Sequence, residues 1–132
     1  MAVRWYSTVI EARDHRALAR WWAEALGWQT AFDTDEEVVL WPPWAQELGP
    51  KLPFHQVPPG LVFVPVGHDK QTKNRIHLDF APHVDDDRDA EIERLLALGA
   101  TRTDVGQGDG VTWDVLADPE GNEFCVLSSR DV

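Results

Sequence analysis

Hydrophobic and polar positions fall along the chain in two matching runs. In the first, Trp5–Ile10 is β-branched and aromatic, the composition of a short strand. Asp14 then stands as a helix N-cap before Arg16–Leu26, where Leu18, Trp21, Trp22 and Ala25 recur at helical spacing, and Gly27 is the stop. Trp28–Asp33 and Val38–Trp41 read as strands joined by the acidic turn Thr34–Glu37, and Leu61–Val66 as another strand, with Pro65 marking an edge or an end. The second run opens on Asn74–Phe80. Its alternation predicts a strand with Arg75, His77 and Asp79 on one face and Ile76, Leu78 and Phe80 on the other. A helix is predicted over Asp87–Leu98, with Ile92, Leu95 and Leu96 inward and Gly99 at its end. Thr101–Val105, Val111–Leu116 and Glu123–Ser128 complete the run as strands. Gly106–Gly110 separates the first two, and the turn Asp118–Asn122 separates the last two.

The two runs are one pattern repeated. Ala25-Leu26-Gly27 matches Ala97-Leu98-Gly99, and counting back from the glycines sets Ser7 opposite His77. Each half reads strand, helix, then three strands. The predicted fold is therefore α+β: two βαβββ modules, 1–67 and 73–130, within one domain spanning 1–132, their mixed sheets forming a curved trough. Such a trough is a natural small-molecule site. Within the first module, between Val38–Trp41 and Leu61–Val66, Pro42–Gly60 holds six of the nine prolines together with Trp44, Phe54 and His55, and reads as an irregular loop, either a lid or a solvated insertion.

Charge and composition narrow the partners. Twelve basic residues against 23 acidic give a net charge of −11, which argues against nucleic-acid phosphate and anionic membrane surfaces. No stretch is apolar for the length of a membrane helix, and the N-terminus lacks the pattern of a signal peptide. A lone cysteine, Cys125, excludes an internal disulfide and fits a reducing cytoplasm. Seven tryptophans are many for 132 residues. They serve as core filling or as a stacking surface for a flat ligand. The glycines of Gly106–Gly110 have neither the spacing nor the following helix of a dinucleotide site.

Three segments carry a family resemblance: Asn74-Arg75-Ile76-His77-Leu78-Asp79, the helix end Trp21-Trp22 with Ala25-Leu26-Gly27, and Asp118-Pro119-Glu120-Gly121-Asn122 followed by Glu123–Leu127. With them the chain resembles the vicinal oxygen chelate superfamily, which includes glyoxalase-like proteins, bleomycin resistance proteins and dioxygenases. The resemblance implies the paired βαβββ fold and a homodimer. It also implies either metal-dependent chemistry or metal-free sequestration of small molecules such as antibiotics. In the metal enzymes, ligands come from the first, fourth, fifth and eighth strands and are usually His, Glu or Gln. Carried onto this chain, those positions fall on Ser7, on Phe63 or Val64, on His77 and on Cys125. Only His77 and Cys125 can ligate, too few for a site unless His55 or His68 joins them.

Two readings follow. The first is a small-molecule-binding protein that lacks the usual metal set and needs no cofactor. Its candidate lining is Trp5, Ser7, Trp41, Trp44, Phe63, Arg75, Asp79 and Trp113, with His77 and Cys125 as the candidate catalytic pair. The second is a glyoxalase-type lyase or isomerase with a divalent metal on His77. Within the site, Asp79 is expected to pair with Arg75 or to orient His77. Cys125 is a small apolar filler or a thiolate activated by His77. Trp21 and Trp22 are expected in a helix core, and Glu120 and Glu123 are expected to face water. A protein-interaction module with a vestigial trough is a third class.

Overall fold

The computed structural model describes residues 3–104 and 113–131. The chain divides into two compact units, Met1–Asp69 and Lys70–Val132. The first contains β1 (Ser7–Ala12), α1 (His15–Leu26), β2 (Gln29–Asp33), β3 (Val38–Trp41), α2 (Ala45–Leu48) and β4 (Gly60–Pro65). The second contains β5 (Leu78–Phe80), α3 (Arg88–Leu98), β6 (Thr101–Arg102), β7 (Asp114–Ala117) and β8 (Glu123–Val126). The two sheets have the same topology, β1-β4-β3-β2 and β5-β8-β7-β6. In each, the first strand runs parallel to the fourth and the remaining pairings are antiparallel. The architecture is α+β, two four-stranded mixed sheets each with its helix, as the repeat predicts. Among the described residues no helix is long and apolar enough to cross a membrane.

Local chemistry explains the helix ends. The Asp14 carboxylate accepts from the Ala17 N–H at 3.0 Å, and α1 buries Leu18, Ala19, Trp21, Trp22 and Ala25 along one stripe. Trp21 and Trp22 meet edge to face with centroids 5.0 Å apart, the expected core role. Gly27 ends α1 at φ 66°, a left-handed conformation that suits a residue without Cβ. Asp87 caps α3 by accepting from the N–H groups of Asp89 and Ala90. Ile92 is the fully buried residue of α3, while Leu95 and Leu96 are half-buried.

Several predicted boundaries move. The first strand begins at Ser7 rather than Trp5, because β4 pairs with Ser7–Ala12. Trp5 lies outside the ladder and donates its indole N–H to the Ser7 carbonyl at 3.2 Å. The loop expected over Pro42–Gly60 is not structureless. It contains α2 and two 3₁₀ turns, Gly49–Lys51 and Phe54–Gln56. The Arg4 guanidinium covers the Phe54 ring at 4.0 Å and donates to the Val57 carbonyl at 3.0 Å, tying that loop down. The strand predicted over Asn74–Phe80 shortens to Leu78–Phe80. Its partner β8 begins at Glu123, and Leu78 already lies opposite Phe124, so little ladder remains for the preceding residues. Ile76 is accordingly exposed and not in the core. Val105, the Gly106–Gly110 turn and Val111 lie outside the described residues.

Side chains hold the segment before β5 in place of a ladder. Lys70 Nζ donates to Glu123 Oε1 at 2.7 Å, the Asn74 N–H donates to Glu123 Oε2 at 3.1 Å, and Asn74 Nδ2 donates to Asn122 Oδ1 at 3.1 Å. Glu123 therefore does not face water as expected; its side chain is 11% exposed. Burial alone would raise its pKa, but the bonds from Lys70 and Asn74 outweigh burial and hold the carboxyl below its ordinary value. The turn before β8 closes on Asp118, which is buried. One oxygen accepts from the N–H groups of Glu120 and Asn122, each at 3.0 Å, and both oxygens accept from Asn122 Nδ2. Gly121 takes φ 89° to complete the turn.

Removing the Asp118 carboxylate leaves those part-buried donors without their acceptor. Asp118→Ala should lower stability by about 2 kcal/mol or more, read from the urea midpoint; an unchanged midpoint would show that the turn forms without it. The lowered pKa of Glu123 adds stability that is present above the unfolded value of 4.5 and is lost as pH falls through the folded value. The stability gap between the wild type and Glu123→Gln should therefore be open at neutral pH and narrow below pH 4.5 in denaturant titrations. A gap independent of pH would contradict the role given to the Lys70–Glu123 pair.

Candidate functional site

Alternation along three adjacent strands makes the site. In the second sheet β8 lies between β5 and β7, and Cys125 is paired with Asp79 on one side and with Val115 on the other. Side chains two residues apart share a face. His77 therefore joins Asp79, Trp113 joins Val115, and Glu123 and Leu127 flank Cys125. These seven residues and Lys73 line a cavity of about 430 Å³, within the size range of small-molecule sites. The opposite face carries Leu78, Phe124 and Leu116 in the neighbouring row, and the Phe80 and Phe124 rings meet edge to face at 5.8 Å. Phe124, Leu116 and Val126 are buried there, so the same alternation that supplies the core presents the polar groups to the cavity.

The polar groups converge. His77 Nδ1 lies 3.0 Å from Asp79 Oδ1, and Cys125 Sγ lies 3.9 Å from the same nitrogen. His77 and Asp79 side chains are 41% and 47% exposed, whereas Cys125 is buried. Burial pushes the Cys125 thiol up, the charge of Asp79 and its hydrogen bond with the thiol push it further, and Lys73 offsets part of this. In this arrangement Cys125 is a thiol that donates to a carboxylate.

Asp79 decides between two expected partners and adds a donor that was not expected. It is bound to His77, and among the described residues no ion pair joins it to Arg75. It also supplies the third donor that ligand counting had sought in the exposed residues His55 and His68. One ligand atom each from His77, Asp79 and Cys125 lies within 4.8 Å of the others. Ligands around tetrahedral zinc are roughly 3.3–3.6 Å apart; the 3.0 and 3.9 Å separations found here fall on either side of that range and the cluster spans up to 4.8 Å, so the side chains must shift to hold such an ion. The donor set fits a metal of that kind.

The other expected residues are placed as follows. Trp113, 37% exposed, lines the cavity. Arg75 is exposed and does not line it; Lys73 is its cation. In the first unit, Trp5 is exposed, Ser7 begins β1 half-buried, Trp41 ends β3 half-buried, and Trp44 is exposed at the start of α2. Phe63 is 0% exposed, paired with Ile10 and Val38, and belongs to the core of that unit; it offers no ring face to a ligand. Lys73, Val115, Glu123 and Leu127 were not anticipated. Counting two residues either way from Cys125, and two on from Trp113, would have found three of them.

Comparison with known proteins identifies the family and agrees with the fold. The family profile for the glyoxalase-like domain matches residues 7–127. No curated protein sequence matches the chain. Among solved structures, a glyoxalase/bleomycin resistance protein/dioxygenase family enzyme from Burkholderia phytofirmans PsJN superposes with a TM-score of 0.66 at 17% identity, covering 97% of this chain and 100% of that one. The fosfomycin resistance protein FosX from Mesorhizobium loti superposes with a TM-score of 0.66 at 15% identity, covering 96% and 92%. A superfamily member from Sphaerobacter thermophilus DSM 20745 gives 0.63 at 17% identity, covering 98% of each chain. At these identities the structures establish the fold, and the profile establishes the family. The two βαβββ units, the Asp118–Asn122 turn and the profile match together place this chain in the glyoxalase-like domain family of the vicinal oxygen chelate superfamily.

Proposed function

We propose that this protein acts as a single glyoxalase-like domain that binds a small, flat, largely apolar molecule in the cavity of its second module, as a cytoplasmic homodimer. The observation that carries the reading is the make-up of the cavity. Trp113, Val115 and Leu127 form apolar walls, while Lys73, His77 and Asp79 converge as polar groups. That division, an apolar enclosure with a few directed polar groups, is what recognition of small organic molecules requires. Trp113 offers a ring face for stacking, and Lys73 favours a ligand with a negative or electron-rich end. The lone cysteine supports a reducing compartment. FosX, with the same fold, is named for fosfomycin resistance, which supports sequestration or modification of a small toxic compound as the biological setting.

A ligand screen by thermal shift, followed by calorimetry on the best binder, tests the reading. Trp113→Ala should weaken binding about tenfold, or roughly 1.4 kcal/mol, without unfolding the chain. His77→Ala should weaken ligands that carry a hydrogen-bonding group at the polar end. Unchanged affinity in both variants would remove this cavity as the site.

A second reading is favoured by one observation, the cluster His77–Asp79–Cys125. In it the protein is a glyoxalase-type lyase or isomerase. A divalent ion held by those residues would supply Lewis acidity toward adjacent substrate oxygens. On this reading, lactoylglutathione forms from methylglyoxal and glutathione when zinc, nickel or manganese is added, and formation is lost in His77→Ala. Absence of product with every metal rules out that reaction.

A further inference from the structure

On the reading that this cavity is the ligand site, we propose that its ligand is a flat organic monoanion: an aromatic acid whose carboxylate is held by Lys73 and whose ring carries a hydroxyl or N–H that donates to His77 Nε2.

Pairing among the charges of the lining leaves one group over. Glu123 is answered by Lys70 Nζ at 2.7 Å and by the Asn74 N–H at 3.1 Å. Asp79 is answered by His77 Nδ1 at 3.0 Å and by the Cys125 thiol. Lys73 has no carboxylate partner among the described residues; its ammonium donates to the carbonyl of its own neighbour, Asn74, at 3.2 Å. Its charge acts inside the cavity, where it offsets part of the upward push on the Cys125 thiol. In a chain of net charge −11, a cation without a counter-charge at the edge of an apolar cavity is a place for an anion.

The same census sets how much charge the ligand carries. A phosphate monoester, close to doubly charged at neutral pH, would find no second cation in the lining and would meet the carboxylates of Asp79 and Glu123. A carboxylate brings one charge to one cation. Trp113, Val115 and Leu127 supply the walls for a flat apolar body, and a cavity of about 430 Å³ lies toward the small end of ligand sites.

Asp79 fixes the sense of the second hydrogen bond. A carboxylate only accepts, so the neutral His77 ring carries its proton on Nδ1 and leaves Nε2 as an acceptor. Among the described residues none donates to that nitrogen. The ligand therefore presents a donor there, as a ring hydroxyl or N–H does and an ether or ketone does not.

Calorimetry with naphthoate, naphthamide, naphthyl phosphate and the hydroxynaphthoate isomers tests each part. Naphthoate should bind at least about fivefold tighter than the amide or the phosphate. The preference over the amide should close to within about twofold in Lys73→Gln, and persist in Lys73→Arg and in Arg75→Gln, which removes a neighbouring cation outside the lining. The best hydroxynaphthoate should gain about fivefold over naphthoate, and the gain should vanish in His77→Ala. Amide or phosphate binding as tightly as naphthoate, a preference unchanged in Lys73→Gln, or a hydroxyl gain that survives His77→Ala would overturn the proposal. So would no binding of naphthoate; a neutral or cationic binder weakened by Trp113→Ala would then still uphold the cavity as the site, whereas naphthoate binding indifferent to Trp113→Ala and Lys73→Gln would remove both.

Discussion

The parallel pairing of β5 with β8 is the constraint on which the site depends. Leu78 opposite Phe124, and Asp79 opposite Cys125, place the two strands in one register. A slip by one residue would send Asp79 and His77 to the buried face and Leu78 and Phe80 to the cavity. The register is held by one packed face and at both ends. On that face, Phe80 and Phe124 meet edge to face among buried residues. At the strand starts, Glu123 binds Lys70 and the Asn74 backbone, so the approach to β5 is fixed to the beginning of β8. At the far end, Arg88 of α3 donates to the carbonyls of Val126 and Leu127 and lies 3.6 Å from Asp114. Core packing and terminal polar bonds thus specify the same alignment.

That alignment gives the cavity its chemistry. Fully exposed, His77, Asp79 and Cys125 would be ordinary side chains. On adjacent strands they become one polar cluster, with a buried thiol at its base and a carboxylate shared between the thiol and the imidazole. The arrangement suits recognition of a ligand's polar end better than nucleophilic attack, because burial and Asp79 push the thiol's pKa up. Trp113 and Val115 reach the cavity from β7 and its approach, so binding surface and polar cluster come from a continuous piece of sheet.

Much of the fold was legible in the sequence because its signals are local. Asp14 and Gly27 mark the ends of α1, Asp87 and Gly99 those of α3, and the repeated Ala-Leu-Gly exposes the duplication. The identity of the polar strand was legible too, since His77 and Asp79 alternate with apolar residues. Its length was not, because Asn74 and Arg75 have no strand opposite them, a fact set by where β8 begins. Glu123 was misread for a related reason: its partners Lys70 and Asn74 are some fifty residues away, beyond the reach of any local pattern. Phe63 was assigned to a ligand face by analogy of position, whereas cross-strand packing against Ile10 and Val38 places it in the core.

The central claim is that function resides in the cavity of the second module. The most direct measurement is a ¹H–¹⁵N correlation spectrum of the labelled protein during titration with the best binder from a ligand screen. The account predicts that perturbed amides cluster at 73–79, 113–115 and 123–127, with the first module largely unmoved. Shifts concentrated around Trp5, Trp44 and Phe54, with the cavity residues silent, would contradict it.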